Sequence, residues 1–173
     1  MNYGIYCNSS AQKFFNGLTH NPSLLMKQRD LLKYFPEDLF IPELKASSKN
    51  GVLKEMTVYL ESAKKVYQAP MIYDLVKKRE ELGSTSIGGG IAIPHCRSIA
   101  VEQLTVLFAR KKKGVDFKSV DKKPVKIFFM VAAPPHDVNY LVFLGKLVEL
   151  LTDKKIKQAL LKVNTFEEFR DLI

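Results

Sequence analysis

The chain has 173 residues, of which 46% are hydrophobic and 26% charged, and 27 basic against 18 acidic side chains give a formal net charge of +9. This length and composition predict one soluble domain with a sizeable core. The longest apolar run, residues 127–133, is far shorter than the roughly 18 residues of a membrane span, so we expect no membrane insertion. No secretory leader is recognisable, and two cysteines, Cys7 and Cys96, fit a reducing cytoplasm. The histidines and cysteines have no metal-ligand spacing, so neither a metal site nor a cofactor is expected.

The first part of the chain is polar and rich in turn residues. We therefore interpret residues 1–28 as an N-terminal extension and residues 29–173 as the domain proper. Such an extension could cover part of the domain or mediate assembly, and the sequence leaves both open. Within the domain, Pro36 and Pro42 flank residues 38–44 and predict a short strand at a sheet edge, because proline cannot donate to a central ladder.

Two helices are predicted next. Ser47 or Ser48 can cap a helix from about residue 49 to 67, in which apolar side chains recur at helical spacing. A second helix over residues 70–83 begins with proline and ends at glycine, as helices commonly do. It carries Arg79 towards the segment that follows.

That segment is Gly88-Gly89-Gly90-Ile91-Ala92-Ile93-Pro94-His95. A glycine run permits close approach of other groups, and the isoleucines predict a short buried strand. Pro94 restricts both its own backbone and that of Ile93, so His95 leaves the strand in a defined direction. These residues alone allow two interpretations, a presented nucleophile or an ordinary half-buried histidine at a strand end.

After the histidine, residues 104–110 and 125–131 are rich in strand-forming residues, and residues 111–114 between them predict a hairpin turn. Residues 110–126 contain eight basic side chains against two acidic ones, a local net charge of +6. Such a patch suits nucleic-acid binding or a solvated hairpin whose lysines protect a sheet edge. No groove-binding helix or base-stacking motif accompanies the charge, so we do not expect nucleic acid as a partner.

Pro134-Pro135 should end the second strand, with Asp137 capping a helix that ends near Thr152. Two shorter helices follow, one over residues 153–161 and one opened by the capping-box pair Thr165 and Glu168. Strands that alternate with helices predict an α/β single domain, a mixed β-sheet with helices on both faces.

Residues 79–85, Arg-Glu-Glu-Leu-Gly-Ser-Thr, followed by the stretch from Gly88 to Arg97, resemble the enzyme IIA domain of the bacterial phosphoenolpyruvate-dependent phosphotransferase system, of fructose/mannitol and nitrogen-regulatory type. The resemblance extends from about Leu31 to the C-terminus and implies that family's fold. In the family the histidine of an Ala-Ile-Pro-His segment is the phosphoryl acceptor, which implies that role for His95.

The chemistry of histidine agrees with that role, because imidazole is an uncharged nitrogen nucleophile at neutral pH. Phosphoryl transfer spreads negative charge over three oxygens, so the site needs hydrogen-bond donors more than a base. The resemblance singles out Arg79 and Thr85; the alternative is an ion pair of Arg79 with Glu80 or Glu81 and a helix C-cap at Thr85. The candidate donors are Arg79, Ser84, Thr85 and the backbone N–H groups of Gly89 and Gly90.

One position departs from the family pattern. Many members have a second histidine where this chain has Tyr140, and tyrosine can donate a hydrogen bond but cannot titrate near neutral pH. His136 would share a face with Tyr140 if the helix began early, and Arg97 is a further candidate near the site. Slower transfer, or a sensing role, could follow from the replacement.

The sequence thus predicts a cytoplasmic phosphoryl carrier that accepts phosphate on His95 from a histidine phosphocarrier protein. We expect no attached sugar-specific membrane domain or cysteine-bearing domain, and that expectation favours the nitrogen-regulatory type with a regulated target protein downstream. The alternatives are a sugar-specific enzyme IIA that passes phosphate to a IIB protein, and a regulatory binding module that is not phosphorylated.

Overall fold

The structure is a computed structural model that describes residues 26–27 and 30–173. The predicted extension over residues 1–28 therefore lies outside the described residues, apart from 26–27, and so does Cys7. No helix in the described part of the chain is long and apolar enough to cross a membrane.

The described residues form a mixed six-stranded sheet and five α-helices, which confirms the predicted fold class. The helices are α1 Lys49–Ser62, α2 Ala69–Glu81, α3 Tyr140–Leu150, α4 Lys154–Leu160 and α5 Phe166–Arg170. The strands are β1 Phe40–Ile41, β2 Ser86–Gly88, β3 Ile91–Ala92, β4 His95–Arg97, β5 Thr105–Val115 and β6 Val125–Ala133. Two short 3-10 helices, Leu32–Tyr34 and Glu37–Leu39, precede β1.

Strand β6 lies at the centre of the sheet. It pairs antiparallel with β5 on one side and parallel with both β3 and β4 on the other, while β1 and β2 form the edges. Strands β3 and β4 keep one register along β6, since Ile91 lies opposite Ile127 and His95 opposite Val131. They are one strand interrupted where Pro94 has no N–H to donate. His95 is the first residue after that interruption.

Each face of the sheet is covered by its own apolar cluster. Helices α1 and α2 cover one face, with Leu53, Val76 and Phe128 fully buried between the layers. Helices α3, α4 and α5 cover the other, around Phe129 and Phe169. Burying each such side chain stabilises the fold by roughly 1.5–3 kcal/mol, so the sheet is a rigid support for groups at its edges.

Two predicted elements differ in extent. Helix α1 begins after the cap Ser48, whose hydroxyl oxygen accepts the Gly51 N–H at 3.2 Å, but ends at Ser62 and not at residue 67. Lys64 adopts a positive φ of 56° that no helix continues through, and Val66 then bridges to Val101. The edge strand predicted over residues 38–44 is only the two residues of β1.

The predicted lysine turn is wrong. Strand β5 continues through residues 111–114 to Val115, and the connection to β6 is residues 116–124. Gly114 has φ 75°, and the pairing register shifts between Arg110 and Val115, so a bulge near Gly114 replaces the expected reversal. The two strands are antiparallel neighbours as predicted.

Arg110 does not belong to the basic surface, because only 3% of it is exposed. Its guanidinium donates to the carbonyl oxygens of Pro42 and Leu161 and to Oδ1 of Asn164, at 3.0, 3.2 and 2.8 Å. Lys111 also turns inward and donates to the Leu44 carbonyl at 2.6 Å. The exposed patch is therefore weaker than the sequence suggested, and the expectation that nucleic acid is no partner stays a prediction.

The predicted Asp137 cap of α3 is wrong. Asn139, the residue directly before Tyr140, occupies the cap position, and Asp137 Oδ1 accepts the N–H of Asn139 at 2.7 Å. The cap of α5 is as predicted on one side, with the Thr165 hydroxyl oxygen accepting the Glu168 N–H at 3.2 Å. The Glu168 carboxylate accepts the N–H of Asn164, the residue before the cap.

Candidate functional site

The imidazole of His95 is held by one hydrogen bond at each ring nitrogen. Nδ1 lies 2.7 Å from the carbonyl oxygen of Ile93, and Nε2 lies 3.1 Å from Nε of Arg79. A carbonyl can only accept and a guanidinium can only donate, so Nδ1 carries the proton and Nε2 presents its lone pair. The geometry thus assigns the tautomer and makes Nε2 the nucleophilic atom.

The environment keeps that imidazole neutral. Burial of the ring lowers the pKa of His95 from its ordinary value, and the positive charge of Arg79 lowers it further. The Ile93 carbonyl and the carboxylate of Glu80 act in the opposite direction without reversing the shift. A neutral ring at physiological pH is the form that can attack phosphorus.

Arg79 lies in the last turn of α2 and is anchored at its far end. Its Nη1 donates to the carbonyl oxygen of Gly83 at 3.1 Å, which leaves the guanidinium edge formed by Nε and Nη2 facing the imidazole. The alternative ion pair does not form, because Glu80 pairs with Lys49 at 2.8 Å and Glu81 with Lys77 at 3.9 Å. Arg79 therefore lies where its Nε and Nη2 could both donate hydrogen bonds to an anionic group bound at Nε2 of His95.

Thr85 is buried next to Arg79's helix, but its hydroxyl donates elsewhere. The Glu80 Oε2 atom accepts both the Thr85 hydroxyl and the Thr85 backbone N–H, the latter at 2.9 Å. The sequence suggests Glu80 only as a surface partner of Arg79, whereas Glu80 is 4% exposed. The sequence signal for this contact is the spacing of Glu80 and Thr85, which lie five residues apart across a glycine turn.

Neither the Ser84 hydroxyl nor the Gly89 N–H donates to the imidazole. The Ser84 hydroxyl donates to the carbonyl oxygen of Phe117 at 2.9 Å, and the Gly89 N–H donates to Asp121 Oδ2 at 2.9 Å. Gly90 precedes Ile91 at the opposite end of the interrupted strand. With about 3.3 Å per residue along β6, the loop is on the order of 13 Å or more from His95.

Tyr140 lies next to the imidazole, and Arg97 lies next to Tyr140. The rings of His95 and Tyr140 meet edge to face with centroids 6.3 Å apart, and the Arg97 guanidinium stacks 4.3 Å from the Tyr140 ring centroid. Burial raises the pKa of Tyr140 to about 12, so its phenol stays protonated. Tyr140 is also the first residue of α3, whose first-turn N–H groups have no acceptor within the helix.

His136 lies before α3 and is exposed, so it does not share a helical face with Tyr140. Arg97 instead reaches the neighbouring turn, where its Nη1 donates to the Pro135 carbonyl at 3.2 Å. No group of three or more histidine, cysteine or acidic side chains in the described ranges could hold a metal ion. The chemistry available at the site is that of a histidine nucleophile flanked by cationic and neutral donors.

Known proteins with similar sequences include nitrogen regulatory proteins and EIIA components of the phosphotransferase system. A nitrogen regulatory protein from Bradyrhizobium diazoefficiens is 33% identical over 71% of this chain and 80% of its own length. A fructose-specific EIIA component of the phosphotransferase system from Haloferax volcanii is 29% identical over 86% of this chain and 97% of its own. The fructose-specific EIIABC component from Bacillus subtilis is 34% identical over 75% of this chain, which spans only 21% of that larger protein.

Among solved structures, the nitrogen regulatory protein IIA-Ntr from Neisseria meningitidis superimposes with a TM-score of 0.76 at 30% identity, covering 81% of this chain and 96% of its own. The mannitol IIA from Escherichia coli shares the fold, with a TM-score of 0.68 at 21% identity over 79% of this chain and 96% of its own. The family model for the phosphoenolpyruvate-dependent sugar phosphotransferase system, EIIA 2, matches residues 33–173. The chain therefore belongs to the EIIA 2 family of the phosphotransferase system.

Proposed function

We propose that this protein carries a phosphoryl group on Nε2 of His95. The observation that supports this most is the hydrogen bond between Nδ1 and the Ile93 carbonyl, because it leaves the Nε2 lone pair unprotonated and directed at Arg79. A merely structural histidine at a strand end has no need of a defined tautomer next to a guanidinium.

In the forward step, the Nε2 lone pair of His95 attacks phosphorus on the donor's phosphohistidine. The new bond joins phosphorus to Nε2, and the bond from phosphorus to the donor nitrogen breaks, with its electron pair going to the donor ring. His95 keeps its Nδ1 proton, so its ring becomes an imidazolium whose N–H the Ile93 carbonyl accepts. A donor ring protonated on its other nitrogen becomes a neutral imidazole, so no further proton is required. The reverse of these steps releases the group to the next protein.

Arg79 changes partner during that step. At rest its Nε donates to Nε2, and when phosphorus approaches the donor shifts to a phosphoryl oxygen while Nη1 stays on Gly83. The edge formed by Nε and Nη2 then contacts two oxygens, the geometry in which arginine binds phosphate best. Tyr140, the first residue of α3, lies next to the imidazole and would supply a neutral donor, as would the N–H groups of the first turn.

The proposed upstream partner is a small histidine phosphocarrier protein in the cytoplasm. For the downstream role we favour the nitrogen-regulatory type, since the IIA-Ntr structure matches this chain at 30% identity and the mannitol IIA at 21%. The fructose-specific relatives are equally similar in sequence, so transfer to a IIB protein is the second candidate. A complex of mannitol IIA with phosphorylated IIB is known for the Escherichia coli proteins.

The test is reconstitution with the general phosphotransferase enzyme, a histidine phosphocarrier protein and labelled phosphoenolpyruvate. We expect acid-labile label on this chain that a purified fructose-type IIB protein discharges slowly or not at all. Rapid discharge would support the sugar-specific role. Absence of label would leave a binding module as the function.

A further inference from the structure

We infer that Glu80 is a positioning residue that holds both His95 and Arg79 in the arrangement needed for transfer, with Thr85 as its link. This inference rests on the proposed function and extends it to a carboxylate that makes no hydrogen bond to the imidazole. Two separate routes through the backbone connect Glu80 to the two residues.

The first route leads to the histidine. Glu80 Oε2 accepts both Thr85 donors, and the Thr85 carbonyl in turn accepts the Ile93 N–H at 3.1 Å. The carbonyl of the same Ile93 accepts Nδ1 of His95 at 2.7 Å. Moving Thr85 therefore moves Ile93, and the carbonyl that sets the tautomer of His95 moves with it.

The second route leads to the arginine. Glu80 and Thr85 close a tight loop over residues 82–84, because the carboxylate of one binds the backbone of the other. The carbonyl of Gly83 projects from that loop and accepts Nη1 of Arg79 at 3.1 Å. The same carboxylate thus fixes the anchor that orients the guanidinium.

The Glu80 carboxylate is buried, and its partners are Thr85 and Lys49. The Glu80 side chain is 2% exposed, and Oε1 lies 2.8 Å from Nζ of Lys49. Lys49 in turn lies 4.7 Å above the ring of Phe117. A buried carboxylate is destabilising unless it is paired and hydrogen-bonded. Here the Thr85 hydroxyl and N–H donate to Oε2, whereas Oε1 has the ion pair with Lys49 and no hydrogen bond.

This network changes the interpretation of Thr85. A hydroxyl has one proton to donate, and that of Thr85 goes to Glu80 and not towards the imidazole. Thr85 then affects phosphoryl transfer by holding Ile93, not by contacting the phosphoryl group.

The experiment uses the whole chain and phosphoramidate, a small donor that needs no partner protein. Its P–N bond breaks, phosphorus bonds to Nε2, and ammonia leaves with the proton that solvent supplies. The variants are Glu80→Met, which removes both acceptor oxygens, and Glu80→Gln, which keeps one oxygen for Thr85. Each is measured for phosphorylation rate, for the His95 tautomer by ¹⁵N NMR of the imidazole, and for thermal stability.

Glu55→Met is the matched control. Glu55 is also a helical glutamate that braces a loop, since its carboxylate accepts the N–H groups of Lys45 and Ala46 at 2.9 and 2.7 Å. It has no connection to Ile93 or Gly83. Its loss should lower the melting temperature without changing the rate or the tautomer.

We expect Glu80→Met to slow phosphorylation by about tenfold or more, because small misplacements of reacting groups cost that much. The Nε2-protonated form of His95 should appear alongside, and Glu80→Gln should restore the Nδ1-protonated form and most of the rate. Thr85→Val keeps the carboxylate and serves if Glu80→Met does not fold. It should slow the reaction less, and adding Glu80→Met to it should give no more loss than Glu80→Met alone.

A folded Glu80→Met protein with wild-type rate and tautomer would overturn the inference. The inference would also be overturned if the rate losses of Thr85→Val and Glu80→Met multiplied in the double variant. Thr85 would then act on the phosphoryl group directly. If the wild type takes no phosphate, the proposed function fails. The tautomer measurement then decides the positioning role of Glu80 by itself.

Discussion

Arg79 Nε donates its hydrogen bond, at 3.1 Å, to Nε2 of His95, the same atom that would attack phosphorus. In the proposed transfer the arginine would have to release this lone pair as the phosphoryl group arrives. One residue would then help to keep the ring neutral before transfer and bind the phosphoryl oxygens after it.

Arg79→Lys should separate transfer from stability. Lysine keeps the charge but loses the planar pair of donors and the simultaneous contact with Gly83. We expect transfer to fall about tenfold or more, equivalent to about 1.4 kcal/mol or more of transition-state stabilisation, with a melting temperature nearly unchanged. Rapid-quench phosphorylation and a thermal melt on the same sample measure both. Arg170→Lys at the exposed end of α5 is the control, and equal rates for Arg79→Lys and wild type would remove Arg79 from the site.

The lowered pKa of His95 predicts a pH dependence of both rate and stability. Because burial places the folded-state pKa below the ordinary value of 6.5, the ring stays neutral in the folded protein at pH values where it is already protonated in the unfolded chain. The stability from this group is therefore complete above pH 6.5 and is lost as the pH falls through the folded-state pKa.

The phosphorylation rate by phosphoramidate should accordingly keep its plateau below pH 6.5 before it falls. NMR titration of the His95 ring gives the midpoint independently. A midpoint above 6.5 in either measurement contradicts the described environment of the ring.

Tyr140→His tests the departure from the family pattern. The Tyr140 phenol, with a pKa of about 12, cannot change charge across the physiological range. An imidazole at this position should add a second ionisation to the rate profile between about pH 5 and 8. Tyr140→Phe is the control, because it keeps the ring that Arg97 stacks on and adds no titrating group. A rate profile of Tyr140→His identical to that of wild type would mean that position 140 does not communicate with the phosphoryl group.

Arg110→Met should destabilise the fold while leaving transfer intact. The substitution abandons two carbonyls and one amide oxygen that the buried guanidinium now satisfies. We expect a loss of about 2–4 kcal/mol in the free energy of unfolding, measured by urea denaturation. Lys113→Met, at an exposed position of the same strand, should change it little. Equal free energies of unfolding for the two variants would mean that the buried contacts of Arg110 do not stabilise the fold.

Features set by neighbouring residues could be predicted from the sequence, whereas features set by pairing between distant strands could not. The resemblance of residues 79–97 to the enzyme IIA family implied that Arg79 acts beside His95, and the alternation of strands and helices predicted the sheet covered on both faces. The end of β5 could not be predicted, because residues 111–113 look like a turn until β6 pairs beyond them and Gly114 absorbs the bulge.

The site shows the same division. From composition alone the glycine loop resembles a phosphate cradle. In the structure the Gly90 carbonyl accepts the N–H groups of Lys126 and Ile127 at the start of β6, whereas His95 lies opposite Val131. Likewise, a glutamate next to an arginine in sequence suggests an ion pair between them. Only the fold shows that Glu80 turns the other way, to Lys49 and Thr85.

The most direct test of the account is to locate the phosphoryl group on the protein. The ¹⁵N-histidine-labelled chain is phosphorylated from phosphoenolpyruvate through the general enzyme and its phosphocarrier, and NMR then identifies the phosphorylated nitrogen. His95→Ala, treated in parallel, is the control. We predict one phosphoryl group on Nε2 of His95 in the wild type and none on the variant. A group bonded to Nδ1, or undiminished acid-labile label on His95→Ala, would contradict the account.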